Sequence, residues 1–248
     1  MIRDSTVLVT GGTGSIGSEI VKGLISRGAK KILVFSRDDT KQFYFRQELG
    51  KRSCVEFMIG DVRDKDSLGR AFQFDFDIVI HAAAMKHVEI SENNPTEVVK
   101  TNILGTQNLI DLAKESSAKV LMTVSTDKAV SPSSIMGASK FIAEKLTIDG
   151  NNNGGTKLSC VRFGNVMGSR GSVIPTFIDG IKNRGAIWVS DTEVTRFAMP
   201  IVEAADLVLD AVELSLGGEI FVLKMKAFSM GQLLRVFEKM PFASGGFE

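Results

Sequence analysis

Cysteine is scarce in this chain, charge of the two signs is nearly balanced, and long apolar runs are missing. The two cysteines, Cys54 and Cys160, lie in the separate strand-like runs SCVEFMIG and LSCVRFG. They read as buried thiols in a reducing compartment, not as a disulfide framework. No cluster has metal-ligand spacing, and only two histidines are present. A formal net charge of +1 gives no broad electrostatic case for nucleic acid or an acidic membrane as partner. No apolar run nears the roughly 18 residues that a membrane span needs. The opening MIRDSTVLVTGG is a short charged tag followed at once by a strand, without the apolar core of a signal peptide. A cytoplasmic location is expected. Repeats and low-complexity segments are also missing.

What is there is an alternation. The chain has 248 residues, 44% of them apolar, enough for one large α/β domain and a small appended lobe. TVLVT (6–10) is continuously apolar, as a strand buried on both faces should be. KILVF (31–35), CVEFMI (54–59), DIVIHAAA (77–84), KVLMTVST (119–126) and LSCVRFG (158–164) repeat that signal. Between the first two, Ile16, Ile20 and Leu24 fall four apart on one helix face, which Gly28 stops. Residues 94–116 read as one long helix, with Val98, Asn102, Leu109 and Leu112 on or near one face. SIMGASKFIAEKL (134–146) reads as another helix, and GNNNGG (150–155) as a loop. The pattern predicts an α/β fold, a doubly wound parallel sheet of Rossmann type. Residues 1–165 are assigned to that domain and 166–248 to a second, interleaved lobe draped over the carboxyl ends of the strands. In the lobe, AIWVSD and EIFVLKM read as short strands. Glu203–Leu214 reads as an amphipathic helix and GQLLRVFEKM as a final one.

Gly11, Gly14 and Gly17 form a G-x-x-G-x-x-G pattern between the first strand and the first helix, interleaved with Thr13, Ser15 and Ile16. Such glycines let the backbone turn tightly against a pyrophosphate, and the helix N-terminus offers free N–H groups. An NAD-binding unit usually ends its second strand on an acidic residue that holds the ribose. Here the strand ends in Phe35-Ser36-Arg37. Ser36 can hydrogen-bond a 2′-phosphate, and Arg37 can pair with it and stack on adenine. That points to NADP(H). The alternative is that Asp38 or Asp39 binds the ribose and Arg37 is a solvated loop residue. Asp61 and Val62, after the third strand, are placed to meet the adenine edge. Ala82, Ala83 and Ala84, ending the fourth, join the cofactor set.

The segment VSTDKAVSPSSIMGASK puts Thr126, Asp127 and Lys128 at the carboxyl end of the fifth strand. Ligands bind at such ends in open α/β sheets. Met136 and Lys140 are four apart and share a helix face, from which Lys140 can reach a nicotinamide ribose. Taken singly, each has a plainer reading: a surface lysine at 140, ordinary packing at Met136, a solvated turn pair at Asp127-Lys128.

These segments, with FSRDDTKQ, GDVRD, HAAAMKHVEISENNP, VRFGNVMGSRGSVIPTF and VTRFAMPIVEAADLV, resemble the extended short-chain dehydrogenase/reductases. Within them they resemble the UDP-N-acetylglucosamine 4,6-dehydratases of capsule, O-antigen and flagellin-glycan synthesis. The resemblance implies NADP-dependent loss of water from a UDP-sugar through a transient 4-keto intermediate, with internal hydride recycling. By it, Lys128 removes the C-5 proton, Asp127 protonates the departing C-6 hydroxyl and Thr126 orients the C-4 oxygen. Lys140 is the lysine of the family's Tyr-x-x-x-Lys pair. Met136 stands where the tyrosine would, as in one branch of these dehydratases. Asn102 has a structural and water-positioning role.

The same resemblance puts the UDP end of the substrate against Lys86, His87, Asn165, Arg170, Val173 and Arg196. Arginine suits bidentate pyrophosphate recognition. Arg196 pairing with Glu193 or Asp191, and His87 as a satisfied polar residue, stand as equal alternatives. Family members usually run further than this chain and form oligomers, so a homo-oligomer is expected. Two other functions stay open. One is an NDP-sugar 4-epimerase or 4-keto reductase, which predicts a tyrosine at position 136. The other is a non-catalytic NADP(H)-binding protein.

Overall fold

A computed structural model of the chain describes residues 1–153, 155–184 and 187–239. Its first half runs β1 (Thr6–Thr10), α1 (Ser15–Ser26), β2 (Lys31–Ser36), α2 (Asp39–Leu49), β3 (Val55–Ile59), α3 (Lys65–Ala71) and β4 (Ile78–His81). Then come α4 (Val88–Asn93), α5 (Pro95–Val98), a π-helical stretch (Val99–Leu104), α6 (Gly105–Glu115), β5 (Val120–Thr126), a 3₁₀ turn (Asp127–Ala129) and α7 (Ile135–Asp149). The rest comprises β6 (Lys157–Phe163), β7 (Asn165–Val166), α8 (Val173–Arg184), β8 (Thr195–Met199), α9 (Ile201–Leu214), β9 (Ile220–Val222), β10 (Lys226–Ser229) and α10 (Met230–Glu238).

The larger unit is a seven-stranded sheet in the order β3-β2-β1-β4-β5-β6-β9. Strand β1 pairs in parallel with β2 and with β4, so Thr10 lies opposite both Phe35 and His81. The central strands are apolar throughout because helices cover both faces: Val7–Val9, Ile32–Phe35, Ile78–Ile80 and Val120–Met122 are buried. Leu8, Phe35, Val79, Leu109, Leu121 and Leu158 belong to one core cluster. Burying each such side chain stabilises the fold by about 1.5–3 kcal/mol. The chain winds outward from β1 to β3, then returns to β4 on the other flank of β1. That reversal opens the ligand crevice between the carboxyl ends of β1 and β4.

The smaller unit holds a three-stranded sheet, β10-β8-β7, with β8 antiparallel to β10 and parallel to β7. Phe177 from α8, Phe237 from α10 and Ile187 form its core. The units interleave beyond a single boundary at 165/166. The larger takes Met1–Arg162 and Ala205–Leu223, and the smaller begins at Phe163 and resumes at Lys224.

Several elements differ from the sequence reading. EIFVLKM supplies β9, which joins the large sheet with Ile220 opposite Cys160. The described part of AIWVSD is not a strand. Its alternation reflects a coil in which Ile187 turns into the core while Trp188 is 80% exposed. The strand of that region lies later, at TRFAM. The long helix 94–116 is broken by the π-helical stretch around Asn102. Helix α2 buries only Gln42 and Phe45, so DTKQFYFRQEL carries no apolar stripe to announce it. Cys160 is buried but Cys54 only half-buried. Among the described residues no helix is long and apolar enough to cross a membrane. Among the same residues no cluster of His, Cys, Asp or Glu is placed to hold a metal ion.

Gly11 has φ +67°, and a Cβ there would lie 2.6 Å from the Ala83 nitrogen. Gly11→Ala therefore imposes a left-handed backbone on an L-residue, at about 1–3 kcal/mol, and adds a clash with main chain. Gly69 in α3 has nothing within 4 Å of its Cβ position, and Gly69→Ala should melt at or above the wild type. Thermal unfolding of the two variants checks this. Equal melting temperatures would contradict the account.

Candidate active site

The glycine loop joins β1 to α1 at the crevice. Gly11 lies against the Ala82–Ala83 backbone, and a Cβ on Gly17 would meet the Gly11 oxygen at 2.3 Å. Loop, helix start and the end of β4 are thus packed backbone to backbone. Gly14 occupies the N-cap of α1, and the first turn holds no acidic residue. The helix dipole is left to an anion. Such a helix start suits a dinucleotide's pyrophosphate, and a side chain at position 11 or 17 would clash with the backbone that forms it. Thr13 is buried, while Ser15 and Ile16 are half-buried in the loop and first turn.

At the end of β2, Ser36 is half-buried and Arg37 exposed. The Ser36 hydroxyl accepts from Thr13 Oγ1 at 3.2 Å and from Gln42 Nε2 at 3.1 Å. The two carboxylates that might have held a ribose are engaged where α2 begins. Asp38 caps α2, accepting from Lys41 N at 2.8 Å and from Lys41 Nζ at 2.5 Å. Asp39 accepts from Thr40 N at 2.7 Å. Asp61 accepts from Arg63 Nε at 2.9 Å and Nη2 at 2.6 Å, with Arg37 Nη1 at 3.8 Å. Burial alone would raise the Asp61 carboxyl, but the Arg63 hydrogen bonds and both arginine charges hold it below its ordinary value. The neighbouring Val62 turns inward, its side chain part of the core, so only its main chain is available to a ligand.

Two buried polar residues fix the end of β4. His81 Nε2 lies 3.0 Å from Thr106 Oγ1, whose proton goes to Asn102 O at 2.6 Å. His81 Nε2 must therefore donate, and Nδ1, at 2.7 Å, accepts from Thr10 Oγ1. Full burial, then the charge of Lys140, lowers the imidazole from 6.5 to about 3. Asn102 accepts from Met85 N at 2.8 Å and donates to Met85 O at 3.0 Å and Ser139 Oγ at 2.9 Å. The π-helical turn aims this amide so that it clamps the chain after Ala84 to helix α7. Lys86 and His87 follow that clamp, both exposed, His87 standing at the N-cap of α4 without a side-chain cap bond.

Thr126, Asp127 and Lys128 close β5 in one hydrogen-bonded turn. Thr126 Oγ1 donates to Asp127 Oδ1 at 2.9 Å, and Lys128 Nζ donates to the same oxygen at 3.1 Å. Helix α7 is pressed against this turn at Gly137, where a Cβ would meet Lys128 O at 2.4 Å. Met136, one residue earlier, is buried. Lys140 is also buried, with Nζ donating to Val124 O at 2.6 Å. Burial pushes its ammonium down to about 8, and neighbouring Cys160 and Glu144 oppose a further fall. Lys140 is therefore no surface lysine.

Sequence reasoning missed the residues beneath it. Glu144, one turn beyond Lys140, is buried and takes Arg162 Nε at 2.7 Å, Arg162 Nη2 at 2.5 Å and Ser125 Oγ at 2.5 Å. The signal was available: Met136, Lys140 and Glu144 recur every four residues on one face of α7.

The remaining predicted residues lie in the smaller unit. Asn165 starts β7 and Arg170 is exposed between Gly168 and Gly171, both at positive φ. Val173 packs against that unit's core. Arg196 is exposed and donates to Thr195 O, and no carboxylate pairs with it among the described residues. Asp191 instead accepts from Glu193 N.

His81 sets a pH dependence. The unfolded chain takes up a proton at His81 near 6.5, the folded chain only near 3. Its contribution to stability is full above the upper value and is lost as pH falls toward the lower, by about 1.4 kcal/mol per pH unit. Urea unfolding between about pH 4 and pH 6 should show that slope reduced in His81→Gln. An unchanged slope would rule out a buried neutral imidazole.

The model of a family described as polysaccharide biosynthesis protein matches residues 7–243. An uncharacterized membrane protein of Methanocaldococcus jannaschii is 49% identical over 237 residues, covering 94% of this chain and 71% of the relative. A UDP-N-acetylglucosamine 4,6-dehydratase (inverting) of Campylobacter jejuni is 42% identical, with coverage of 94% and 71%. A UDP-glucose 4-epimerase of Rickettsia bellii is 42% identical, with coverage of 96% and 71%. The solved structure of Pen from Bacillus thuringiensis superposes with TM-score 0.95 at 39% identity, over 100% of this chain and 78% of that one. The chain belongs to the polysaccharide biosynthesis protein family, among the nucleotide-sugar dehydratases and epimerases of the extended short-chain dehydrogenase/reductase fold.

Proposed function

We propose that the chain is an NADP(H)-dependent 4,6-dehydratase acting on UDP-N-acetylglucosamine. One observation carries this reading: Lys128 Nζ and Asp127 Oδ1 form a 3.1 Å couple at the carboxyl end of β5. Removing water from adjacent carbons needs one group that takes a proton and another that gives one. A proton passed from Nζ to Oδ1 leaves a neutral amine beside a carboxylic acid. The amine then takes the C-5 proton next to the C-4 ketone. The acid gives its proton to the C-6 hydroxyl, which leaves as water. The pair returns to the ion pair it began as, so no outside proton donor is needed. Thr126, bonded to the same carboxylate, orients the C-4 oxygen.

Nicotinamide, when bound, supplies a reversible hydride acceptor. The loop from Gly11 to Gly17 would hold its pyrophosphate, Ser36 and Arg37 its 2′-phosphate, and Lys140 its ribose. The engagement of both Asp38 oxygens by Lys41 at the start of α2 supports NADP over NAD. The exposed guanidinium groups of Arg196 and Arg170 suit the substrate's diphosphate.

The relative named UDP-glucose 4-epimerase favours a second reading, epimerisation at C-4. Two features of this chain oppose it. A buried thioether at Met136 offers no proton-transfer group where that chemistry uses a tyrosine. An epimerase also has no task for the Asp127–Lys128 couple.

Incubation with UDP-N-acetylglucosamine and catalytic NADP⁺, followed by mass spectrometry and proton NMR, separates the readings. A product lighter by one water, with a new C-6 methyl doublet, is expected. Unchanged mass with altered C-4 configuration would establish the epimerase instead, and no turnover with coenzyme bound a binding role. Asp127→Asn and Lys128→Ala should each lower kcat by about 10²–10⁴. Lys128→Ala should also abolish solvent deuterium entry at C-5, and retention of that exchange would remove Lys128 as the base.

A further inference from the structure

We infer that Gln42 sets the selectivity for a coenzyme 2′-phosphate by holding the Ser36 hydroxyl as a hydrogen-bond donor. The inference rests on the NADP(H) reading above and adds a positioning residue to it. Gln42 is buried on α2 and was no part of the sequence-derived site. The two protons of its Nε2 face three acceptors, Met58 O at 2.8 Å and, sharing one proton, Ser36 O at 3.0 Å and Ser36 Oγ at 3.1 Å. Two of these acceptors are main-chain carbonyls, so the nitrogen end of the amide must face them. Nε2 is therefore a donor to Ser36 and never an acceptor from it.

Thr13 Oγ1 donates to the same hydroxyl at 3.2 Å from the glycine loop. A serine oxygen has two lone pairs and one proton. Both lone pairs are met from within the protein, and among the described residues no group accepts the proton. Ser36 is left as a donor only. It is half-buried, next to Arg37, whose side chain is 60% exposed.

A phosphate monoester near neutral pH is almost purely an acceptor. It matches a donor-only hydroxyl backed by an arginine. The ribose 2′-hydroxyl of NAD is donor and acceptor both, so it can bond Ser36 whichever way that hydroxyl points. Without Gln42, the Ser36 hydroxyl can turn its proton inward to the Ser36 or Met58 carbonyl region and offer lone pairs outward. The phosphate then loses its donor, while NAD loses nothing.

The test is a double-mutant cycle read by calorimetric titration of the full chain with NADP⁺ and with NAD⁺, without sugar substrate. The wild type should prefer NADP⁺. Ser36→Ala should weaken NADP⁺ about tenfold. Gln42→Met should weaken NADP⁺ about three- to tenfold and leave NAD⁺ within about twofold. In the Ser36→Ala background Gln42→Met should add almost nothing, because it acts through that hydroxyl. Gln42→Asn, one methylene too short to reach, carries the same expectation if Gln42→Met does not fold. Equal weakening of both coenzymes, or a full additive effect on Ser36→Ala, would make Gln42 a packing residue and overturn the inference alone. A wild type that binds NAD⁺ as tightly as NADP⁺ would overturn the NADP(H) reading and the inference together.

Discussion

The contact on which the rest of the site depends is the meeting of two backbones, Gly11 against Ala82–Ala83. A Cβ at Gly11 would lie 2.6 Å from the Ala83 nitrogen and 2.8 Å from the Ala82 carbonyl carbon. Only glycine allows this approach at the point where strand order reverses. Because β1 and β4 are neighbours there, the loop that starts α1 and the chain leaving β4 share one crevice. Gly17 repeats the device one turn into α1, seating the helix start on the loop. The anion cradle thus arises from close backbone packing, not from charged side chains.

A belt of buried polar groups lies behind this crevice. Thr10, His81, Thr106 and Asn102 are linked in series, and Asn102 goes on to Met85 and Ser139. Glu144, Arg162 and Ser125 form a second set under Lys140. Each bond contributes about 0.5–1.5 kcal/mol net, but a lost partner leaves a buried group unpaired at about 1–3 kcal/mol. Such networks therefore act more on position than on total stability. They join β1, β4, β5, β6, the π-helical turn and α7 into one frame. That frame holds the Thr126–Asp127–Lys128 turn at the end of β5.

At the end of β5 the side chains of Asp127 and Lys128 lie in direct contact, joined by a 3.1 Å hydrogen bond. Met136 is buried on α7, one residue before Gly137, where the helix presses on that turn. The family holds both dehydratases and epimerases by the names of its relatives.

Much of this was legible in the sequence. Continuous apolar runs announced β1, β2, β4, β5 and β6, because strands buried on both faces leave no room for polar residues. The glycine spacing announced the loop, and the order of residues placed Asp127 and Lys128 at a strand end. Hidden elements were those whose local pattern is weak or misleading. Helix α2 buries two residues, and AIWVSD alternates like a strand though its described residues form none. EIFVLKM looked like part of the appended lobe until it paired with β6. His81, Gln42, Glu144 and Arg162 passed unremarked because a buried polar residue is defined by partners far away in the chain. Local sequence determined the strands, the glycine cradle and the chemical groups at the end of β5, since these follow from side-chain period and backbone freedom. Only the tertiary structure decided which hydroxyls donate, which carboxylates are already engaged and which charges are buried, since those depend on contacts between segments that sequence order keeps apart.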